Sequence, residues 1–463
     1  MNIYLHVEIS SRELESKILL AALAAERGHN VVISELNLFK AALDKKLIPK
    51  GIFHAKSLTP NINLIARHQQ MIDDGFLVTS IDEEGGILDY EYDEFAKNRY
   101  SDKTLEQSSA VFCWGSEDIN TLKKIYPKHV SKIHKTGSPR VDLWKSQFSR
   151  IFDLPPIAPS KPFLLVSSNL HTVNFRKPFY QWGGFKSYKT SDEHNYFESD
   201  PHNFKKQFQK ASEDNLKLAA FVEAVHFLAK NNSKYEIVFR PHPLENLDAW
   251  KFYLGKIPNV HVIREGSINP WLNNAFAVMH NSCTTAIEAS INGKEIVTFI
   301  PFKQNQSWGE VANSLGYKAE TLEDLKSKID EIFENSQNSN QIDVNKKIPQ
   351  LLVAKIYLDE SELAAKKILK VWEDLAQINN LKNFSLAKFE FFLKTHKIRK
   401  FFKETFKRKI YIKENLKEDD YKFPKLDIMK IRKTLNKMQN ILKIQNKLEC
   451  KQLHDRTILI KKS

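Results

Sequence analysis

A histidine held between two prolines follows a predicted buried strand, in the motif Arg240-Pro241-His242-Pro243. Proline fixes φ at about −65° and cannot donate to a sheet ladder, so the strand must end here and His242 lies in a stiff turn. In open α/β sheets, ligands bind beyond the carboxyl ends of the strands. We therefore expect His242, Arg240 and Pro243 to contact a ligand, with the alternative that Arg240 is the structural partner of a carboxylate.

A second polar cluster, His280-Asn281-Ser282-Cys283-Thr284-Thr285, lies between a predicted buried strand and a predicted helix. The free N–H groups of a helix start, together with nearby hydroxyls, suit a phosphate. We therefore expect Asn281, Ser282, Thr284 and Thr285 to bind phosphate. The alternative is that one hydroxyl only caps its own helix.

Two more polar residues are candidates for nucleotide or sugar contacts. Glu288 lies one turn after the threonines, where it would accept ribose hydroxyls or simply support the helix start. Asn169 follows the first predicted strand of the second half, where its loop would touch phosphate or sugar, or only hydrogen-bond within itself.

Three adjacent acids, Asp82, Glu83 and Glu84, precede Gly85 and Gly86 at the end of another predicted strand. Like charges this close raise the pKa of at least one acid towards the range of a general base. The glycines let a substrate or the backbone approach closely. The pattern indicates a general base, whereas an ordinary acidic loop would only be solvated.

The order of these motifs, acid-acid-Gly, then His-Pro, then Ser/Thr, resembles the motif series of bacterial sialyltransferases. Related enzymes that use CMP-linked sugars with a GT-B fold show the same series. The resemblance implies that Glu84 or Glu83 deprotonates an acceptor hydroxyl and that His242 meets the leaving phosphate. It also implies that the Ser/Thr cluster, residues 282–285, cradles that phosphate with hydroxyls and a helix end.

A longer set of motifs is similar to bacterial surface carbohydrate biosynthesis proteins. These are themselves similar to GT-B glycosyltransferases of the sialyltransferase and Kdo-transferase type. The motifs are Asp82-Glu83-Glu84-Gly85, Trp114-Gly115, Gly137-Ser138-Pro139-Arg140-Val141-Asp142, Arg240-Pro241-His242-Pro243 and the run from His280 to Ala289. The similarity covers roughly residues 1–350 and implies assembly of capsule or lipopolysaccharide-type glycans, without settling the donor.

The elements that must position these residues follow a regular order. Apolar strand-like runs alternate with helical patterns, which is typical of α/β folds with parallel sheets. A proline-rich linker at residues 154–162 separates two such halves. The sequence therefore predicts two Rossmann-like, GT-B-like domains with a cleft between them as the binding site. Residues 1–153 would hold the acceptor and the base, and residues 163–380 would bind the nucleotide sugar.

The basic charge is concentrated in a predicted helical tail, residues 381–463, which contains 24 Lys and Arg against 9 Asp and Glu. Basic residues alternate with phenylalanines in its first part, at Phe384, Phe389, Phe391, Phe392, Phe401, Phe402 and Phe406. This composition is typical of a helix on an anionic membrane surface. The alternative is a helix whose Phe face packs on the protein. Lysine outnumbers arginine and no base-reading module is visible, so we expect no nucleic acid partner.

Three scattered cysteines, Cys113, Cys283 and Cys450, form no disulfide or zinc framework, which favours a reducing compartment. The sequence shows no secretory signal and no apolar run of about 18 to 20 residues. We therefore expect a cytoplasmic protein, peripheral at the inner face of the membrane if the tail binds there. We expect no metal and no cofactor.

Taken with the resemblance, these observations favour a metal-independent, inverting glycosyltransferase. It would move a sugar, such as a nonulosonate or Kdo-like acid, from a CMP donor to a glycan or lipid-linked acceptor. A CDP-polyol phosphotransferase of the teichoic-acid type would present similar His-Pro and Ser/Thr motifs. A non-catalytic component of glycan assembly, tethered by its tail, is the third hypothesis.

Overall fold

The computed structural model describes residues 1–85, 92–175, 201–303, 309–338, 350–359, 361–406 and 422–463. The chain divides into two compact units, one formed by Met1–Phe152 with Gln350–Ser463 and the other by Asp153–Pro349. The first unit is therefore built from both ends of the chain, and each unit has its own sheet.

Strands and helices alternate through both units. In chain order the strands are β1 (Asn2–His6), β2 (Asn30–Ser34), β3 (Ile52–Ala55), β4 (Leu77–Ile81), β5 (Ala110–Cys113), β6 (Ile133–Lys135), β7 (Phe163–Ser167), β8 (Glu236–Arg240), β9 (Val260–Val262), β10 (Ala277–His280), β11 (Glu295–Phe299), β12 (Tyr317–Ala319), β13 (Leu448–His454) and β14 (Thr457–Lys462).

The helices between these strands differ widely in length. The α-helices are α1 (Ser10–Glu26), α2 (Leu36–Leu43), α3 (Ile62–Asp73), α4 (Tyr92–Arg99), α5 (Asp102–Glu106), α6 (Ser116–Ile125), α7 (Pro139–Trp144), α8 (Pro201–Lys230), α9 (Leu247–Leu254), α10 (Asn269–Asn274), α11 (Thr285–Ile291), α12 (Glu310–Asn313), α13 (Leu322–Asn338), α14 (Gln350–Lys355), α15 (Ala364–Ile378), α16 (Ala387–Phe406) and α17 (Ile428–Leu442). Short 3₁₀ helices cover Pro127–Lys132 and Ser146–Ile151.

The first sheet has the order β13-β14-β2-β1-β3-β4-β5-β6. The strands from β2 to β6 run parallel, and β13 and β14 form an antiparallel hairpin that pairs with β2. Central strands such as β3 and β5 are buried along their whole length, as expected for a parallel sheet covered on both faces. Consequently, the polar residues after β1, β3 and β4 share one edge.

The second sheet has the order β12-β11-β10-β7-β8-β9, and its strand pairs are all parallel. The order reverses at β7, which lies between β10 and β8. Such a reversal opens a crevice at the carboxyl edge of an open α/β sheet. Two Rossmann-like parallel sheets flanked by helices confirm the predicted α/β class.

The observed division of the chain differs from the expected domains in residues 350–380, which belong to the first unit and not to the second. Helix α15 carries an apolar stripe that packs on the first sheet, where the indole N–H of Trp372 donates to Thr79 Oγ1 (3.1 Å). The carboxylate of Asp142 accepts the backbone N–H groups of Ala364 (3.1 Å) and Ala365 (3.0 Å) at the start of this helix.

Residues 381–463 also differ from the expected separate tail, because their described part belongs to the first unit. Phe389 and Phe392 of α16 are buried in the core of this unit, and β14 extends its sheet. This favours the alternative in which the Phe face packs on the protein, although Phe391 is 70% exposed. The side chains of Phe401, Phe402 and Phe406 lie outside the described part. None of the helices in the described ranges has the length and apolarity of a membrane span.

The hairpin at the end of the chain should contribute to the stability of the first unit. Leu459 in β14 is buried in its core, so Leu459→Ala should lower the free energy of unfolding by about 2–5 kcal/mol. The matched substitution Lys462→Ala, at an exposed position of the same strand, should change it by less than about 0.5 kcal/mol. Urea unfolding of the full chain checks both values, and equal stability of the two variants would contradict an integral hairpin.

Candidate functional site

The loops after β7, β8 and β10 meet at the carboxyl edge of the second sheet. The side-chain amide of Asn169 donates to the carbonyl of Ser282 (3.1 Å). His171 Nδ1 lies 3.3 Å from Asn169 Oδ1, and the ring of His171 lies 5.1 Å from that of His242. The structure therefore brings together Asn169, His242 and Ser282, three of the residues that the sequence predicts for ligand binding.

The proton of neutral His242 can be placed. Its Nδ1 accepts a hydrogen bond from the backbone N–H of Leu244 (3.2 Å). A ring nitrogen that accepts a hydrogen bond carries no proton, so the neutral ring has its proton on Nε2. A phosphate contact by His242 would then be a hydrogen bond from Nε2–H and not an ion pair. Pro243, the next residue of the turn, is exposed.

Glu245 ties these loops together, and the sequence predictions did not include it. Its buried carboxylate accepts hydrogen bonds from Ser168 Oγ (2.8 Å), the N–H groups of Leu170 (2.8 Å) and His242 (3.3 Å), and the indole of Trp250 (2.5 Å). Burial raises the pKa of Glu245 to about 7, and the four hydrogen bonds oppose that shift. An acid three residues after the His-Pro turn was the available sequence signal.

Arg240 contacts the loop that follows β9. Its guanidinium donates to the carbonyls of Arg264 (3.3 Å), Glu265 (3.0 Å) and Gly266 (3.0 Å) and lies 5.1 Å from the centre of the Trp271 ring. Burial lowers the pKa of Arg240 to about 10. These contacts favour a structural role for Arg240, with backbone carbonyls rather than the expected carboxylate as partners, and its phosphate contact stays a prediction.

Ser282 has a left-handed backbone, with φ = 56°, which is uncommon for a residue other than glycine. Asn313 accepts its N–H (2.6 Å) and donates to its Oγ (3.0 Å), and Asn281 Oδ1 accepts from the same Oγ (2.9 Å). Gly309 leaves room for this arrangement, because a Cβ at Gly309 would lie 2.3 Å from Ser282 Cβ. Conformations of this kind cost about 1–3 kcal/mol and cluster at functional sites.

The remaining residues of the cluster begin α11. Thr284 is its N-cap residue, but no side-chain capping bond is present, so its hydroxyl does not have the simple capping role. Thr285 Oγ1 accepts from Cys283 Sγ (3.3 Å). Glu288 is buried one turn later. These residues line the start of one short helix behind Ser282.

A buried lysine that the sequence did not single out lies beside Ser282. Lys217 Nζ of α8 is 3.4 Å from Ser282 Oγ and 3.5 Å from Asp214 Oδ1. Lys210 also pairs with Asp214, at 2.8 Å, so two lysines share this carboxylate. Burial lowers the pKa of Lys217, and the charge of Asp214 opposes that shift.

In the first unit, the predicted acids follow β4, and Glu83 is not free to act as a base. Its carboxylate forms a buried ion pair with Lys17 Nζ (2.5 Å). Arg140 Nη1 donates to its backbone carbonyl (2.5 Å). If Glu83 took up a proton, the buried positive charge of Lys17 would lose its partner. The expected alternative of Glu83 as the base is therefore disfavoured.

Glu84 and Asp82 differ in accessibility and pKa. Glu84 pairs with Arg12 (2.9 Å) and Arg99 (2.7 Å), and its side chain is 36% exposed. Burial acts to raise the pKa of Glu84, but the charges of Arg12 and Arg99 outweigh it and lower the pKa. Asp82 is buried 3.2 Å from Arg99 Nε, and burial raises its pKa to about 6. Glu84 is thus the acid that a substrate can reach.

Residues of α1 and the glycine after the acids complete this cluster. Glu13 of α1 is buried beside Arg12, and burial followed by the charge of Glu83 raises its pKa to about 7. Arg12, Glu13 and Lys17 were not predicted; their spacing along one helix after β1 was the available signal. At Gly85 a Cβ would lie 3.1 Å from the Trp114 ring. Gly86 lies outside the described residues.

Within the part of the chain that the structure describes, no group of three or more His, Cys, Asp or Glu side chains could hold a metal ion. Cys113, Cys283 and Cys450 are buried free thiols. The polar chemistry at both sheet edges is therefore that of hydroxyl, amide, imidazole, carboxylate, lysine and arginine side chains.

Replacing Glu245 should destabilise the second unit, although the change is nearly isosteric. In Glu245→Gln, one carboxylate oxygen becomes an NH₂ group that faces donors, so buried N–H groups lose their acceptor. We expect a loss of about 1–3 kcal/mol in the free energy of unfolding. The control Glu223→Gln, at an exposed position of α8, should have almost no effect. Equal urea midpoints for the two variants would rule out Glu245 as the link between the loops.

In sequence, the chain matches no protein-family model and no curated protein. Solved structures with a similar fold include a UDP-GlcNAc 2-epimerase of Methanocaldococcus jannaschii in complex with UDP-GlcNAc and UDP. The two sequences are 14% identical, the TM-score is 0.46, and the match covers 81% of this chain and 100% of that one. The UDP-GlcNAc 2-epimerase of Neisseria meningitidis, bound to UDP-GlcNAc, has 13% identity and a TM-score of 0.46, covering 81% and 100%. A glycosyltransferase of Rickettsia africae has 13% identity and a TM-score of 0.43, covering 81% and 98%.

Proposed function

We propose that this protein is a nucleotide-sugar-dependent glycosyltransferase of surface polysaccharide assembly. The observation that carries the proposal is the meeting of the Asn169, His242 and Ser282 loops beside the buried cation Lys217. Neutral donors, hydroxyls and one positive charge at a strand-end crevice match the needs of a phosphate. The donor is a CMP-linked sugar, such as a nonulosonate or Kdo-like acid.

The chemistry of this site is charge stabilisation. A sugar that leaves its nucleotide develops negative charge on the phosphate, and donors already in place lower the barrier. His242 Nε2–H donates to that phosphate, while Ser282 Oγ and Lys217 Nζ contribute a hydroxyl and a positive charge. Lys217 takes the part that the sequence had suggested for Arg240. The bond between the sugar and the phosphate breaks, and the nucleotide leaves with the electron pair.

The acceptor is activated in the first unit, with Glu84 as the general base. Its carboxylate is the accessible one of the three acids, and Arg12 and Arg99 hold it in one position. It removes a proton from the acceptor hydroxyl, whose oxygen then attacks the sugar. The predicted cleft between the two units stays a prediction.

The acceptor is a glycan or a lipid-linked glycan, presented at an anionic membrane surface on the cytoplasmic side. The exposed Phe391 and Ile398 of α16, next to exposed Lys388 and Lys394, support this orientation of the protein. A shallow apolar and basic face of this kind suits the headgroup region of a bilayer.

A nucleotide screen tests the donor. CMP in large excess over its Kd should stabilise the protein by about 2–4 kcal/mol, seen as a rise in Tm, and CDP, UDP and GDP should do so less. His242→Ala should abolish most of the CMP effect while the unliganded protein unfolds normally. His226→Ala, at an exposed position of the same unit, is the matched control and should keep the full effect. A preference for UDP or GDP would overturn the donor assignment.

The products of the reaction separate transfer of a sugar from transfer of a polyol phosphate. With a labelled CMP sugar, free CMP and a labelled acceptor without added phosphate are the expected products. With a labelled CDP-polyol as the donor, release of CMP together with transfer of the polyol phosphate to the acceptor would instead establish the phosphotransferase. Stabilisation by nucleotide without any turnover would leave the non-catalytic component as the function.

The pH dependence of kcat/KM identifies the base. A base must be unprotonated, so the rate falls as pH drops through its pKa. Because the pKa of Glu84 is lowered, kcat/KM should show no acid limb near pH 6. Glu84→Gln should lower it by about 10² to 10⁴, while Glu106→Gln, at an exposed position, should leave it unchanged.

An acid limb in that pH range would reassign the role. A limb near pH 6 would point to Asp82, whose pKa is raised to about 6. A limb near pH 7 would point to Glu13 or to Glu245, because the pKa of each is raised to about 7.

A further inference from the structure

A cavity of about 310 Å³ opens in the first unit at the carboxyl ends of β1, β2 and β3. The side chains that matter for its chemistry are His6, Glu8, Lys56, Arg67, His68 and Lys422. Small-molecule pockets in proteins span roughly 300 to 1,000 Å³. This volume is therefore at the lower end and fits a monosaccharide better than a nucleotide sugar.

Three basic side chains, Lys56, Arg67 and Lys422, and two carboxylates, Glu8 and Glu35, line this cavity. Glu8 forms ion pairs with Lys56 and with Lys422, and the Nζ of Lys422 lies 3.2 Å from its carboxylate. One carboxylate therefore pairs with two lysines. Glu35, the other acid of the wall, pairs with Arg456 at 3.0 Å and does not offset them. Two lysines and one carboxylate therefore meet at this side of the cavity.

Arg67 adds a further positive charge. Across the described ranges of the chain, its guanidinium has no ion-pair partner, and its Nε makes no hydrogen bond. Burial lowers the pKa of Arg67, so the cation is partly withdrawn from water without an anion beside it. A desolvated guanidinium of this kind is suited to a bidentate contact with a carboxylate or a phosphate.

His6 supplies a neutral polar group on the floor of the cavity. Its ring stacks on Phe53, with centroids 6.3 Å apart. Burial, followed by the charges of Lys56 and Arg67, lowers the pKa of His6 to about 3. A neutral imidazole among cations offers one donor and one acceptor to the hydroxyls of a sugar.

The C-terminal segment closes one side of this cavity. Phe423 is buried next to Lys422, and Leu426 donates its N–H to the carbonyl of Asp455 (2.8 Å). Lys422 and Phe423 therefore line the cavity together with the strand ends and with residues of α2 and α3. Lys422, a basic residue of the C-terminal segment, thus lines a cavity rather than only the outer surface.

We propose that this cavity binds a monosaccharide unit that carries a carboxylate or a phosphate, with Arg67 and Lys422 binding the anion and His6 binding hydroxyls. The backbone of Lys56 links the cavity to the acid cluster, since its carbonyl accepts the N–H of Glu83 (3.1 Å). That the bound unit belongs to the acceptor rests on the proposed function; that the cavity binds an anionic sugar does not.

The test compares three ligands on the full chain by thermal shift and isothermal titration: glucose 6-phosphate, glucuronate and uncharged glucose. At least one of the two anions should bind, and glucose should bind at least about tenfold more weakly than that anion. Binding of only one anion identifies the phosphate or the carboxylate as the natural group. Equal binding of glucose, or no binding of either anion, overturns the proposal.

Two variants locate the binding. Arg67→Gln should weaken the anion by about tenfold or more, and Lys422→Gln should weaken it by a smaller factor because Glu8 already shares that lysine. The controls are Arg150→Gln, at an exposed arginine, and Lys425→Gln, whose side chain is 71% exposed; both should bind as the unsubstituted protein does. Unchanged affinity in Arg67→Gln overturns the proposal.

The nucleotide response separates this proposal from the proposed function. Arg67→Gln should keep its full stabilisation by CMP, which also shows that the variant is folded. If CMP fails to bind while the anionic sugar binds in an Arg67-dependent manner, the cavity stands and the proposed function falls. If CMP binds and neither anion does, the reverse holds.

Discussion

The buried carboxylate of Glu245 is the interaction on which the site in the second unit depends. It accepts hydrogen bonds from the loops after β7 and β8 and from the indole of α9. The carboxylate fixes the position of all four donors, because the loss of any one hydrogen bond would leave a buried polar group without its partner. Asn169 lies within one of these loops and His242 within another. The position of each relative to the other therefore depends on a residue that no ligand need touch.

Buried charge has a comparable role in the first unit. Lys17 and Glu83 form an ion pair inside the protein, and such pairs rarely stabilise a fold more than apolar residues of the same size would. Stability alone does not explain this cluster. Its geometric result is that Glu84 projects partly into solvent between Arg12 and Arg99. The buried pair fixes the loop, and the two arginines fix the one accessible carboxylate.

Sequence reasoning succeeded where a residue's position follows from local order along the chain. His242 and Ser282 lie at the same edge because β8 and β10 run parallel on either side of β7, and the carboxyl ends of parallel strands share an edge. It failed where a side chain depends on distant segments. Lys217 lies inside a long helix, where lysine is normally solvated, and Arg240 has a loop partner about 25 residues away. Strand β3 has only four residues. A run this short shows no periodic pattern, so the sequence does not predict it as a strand.

The basic C-terminal segment illustrates a limit of composition as evidence. Alternating Phe and Lys favour a membrane-binding helix and a packed helix equally, and α16 has both kinds of face, with Phe389 buried and Phe391 exposed. The segment that follows it completes the first sheet and reaches a cavity. Deleting residues 381–463 would therefore unfold the first unit, and a loss of activity would say nothing about membranes. Only substitutions on the exposed face of α16, such as Phe391→Ser, separate membrane attachment from folding.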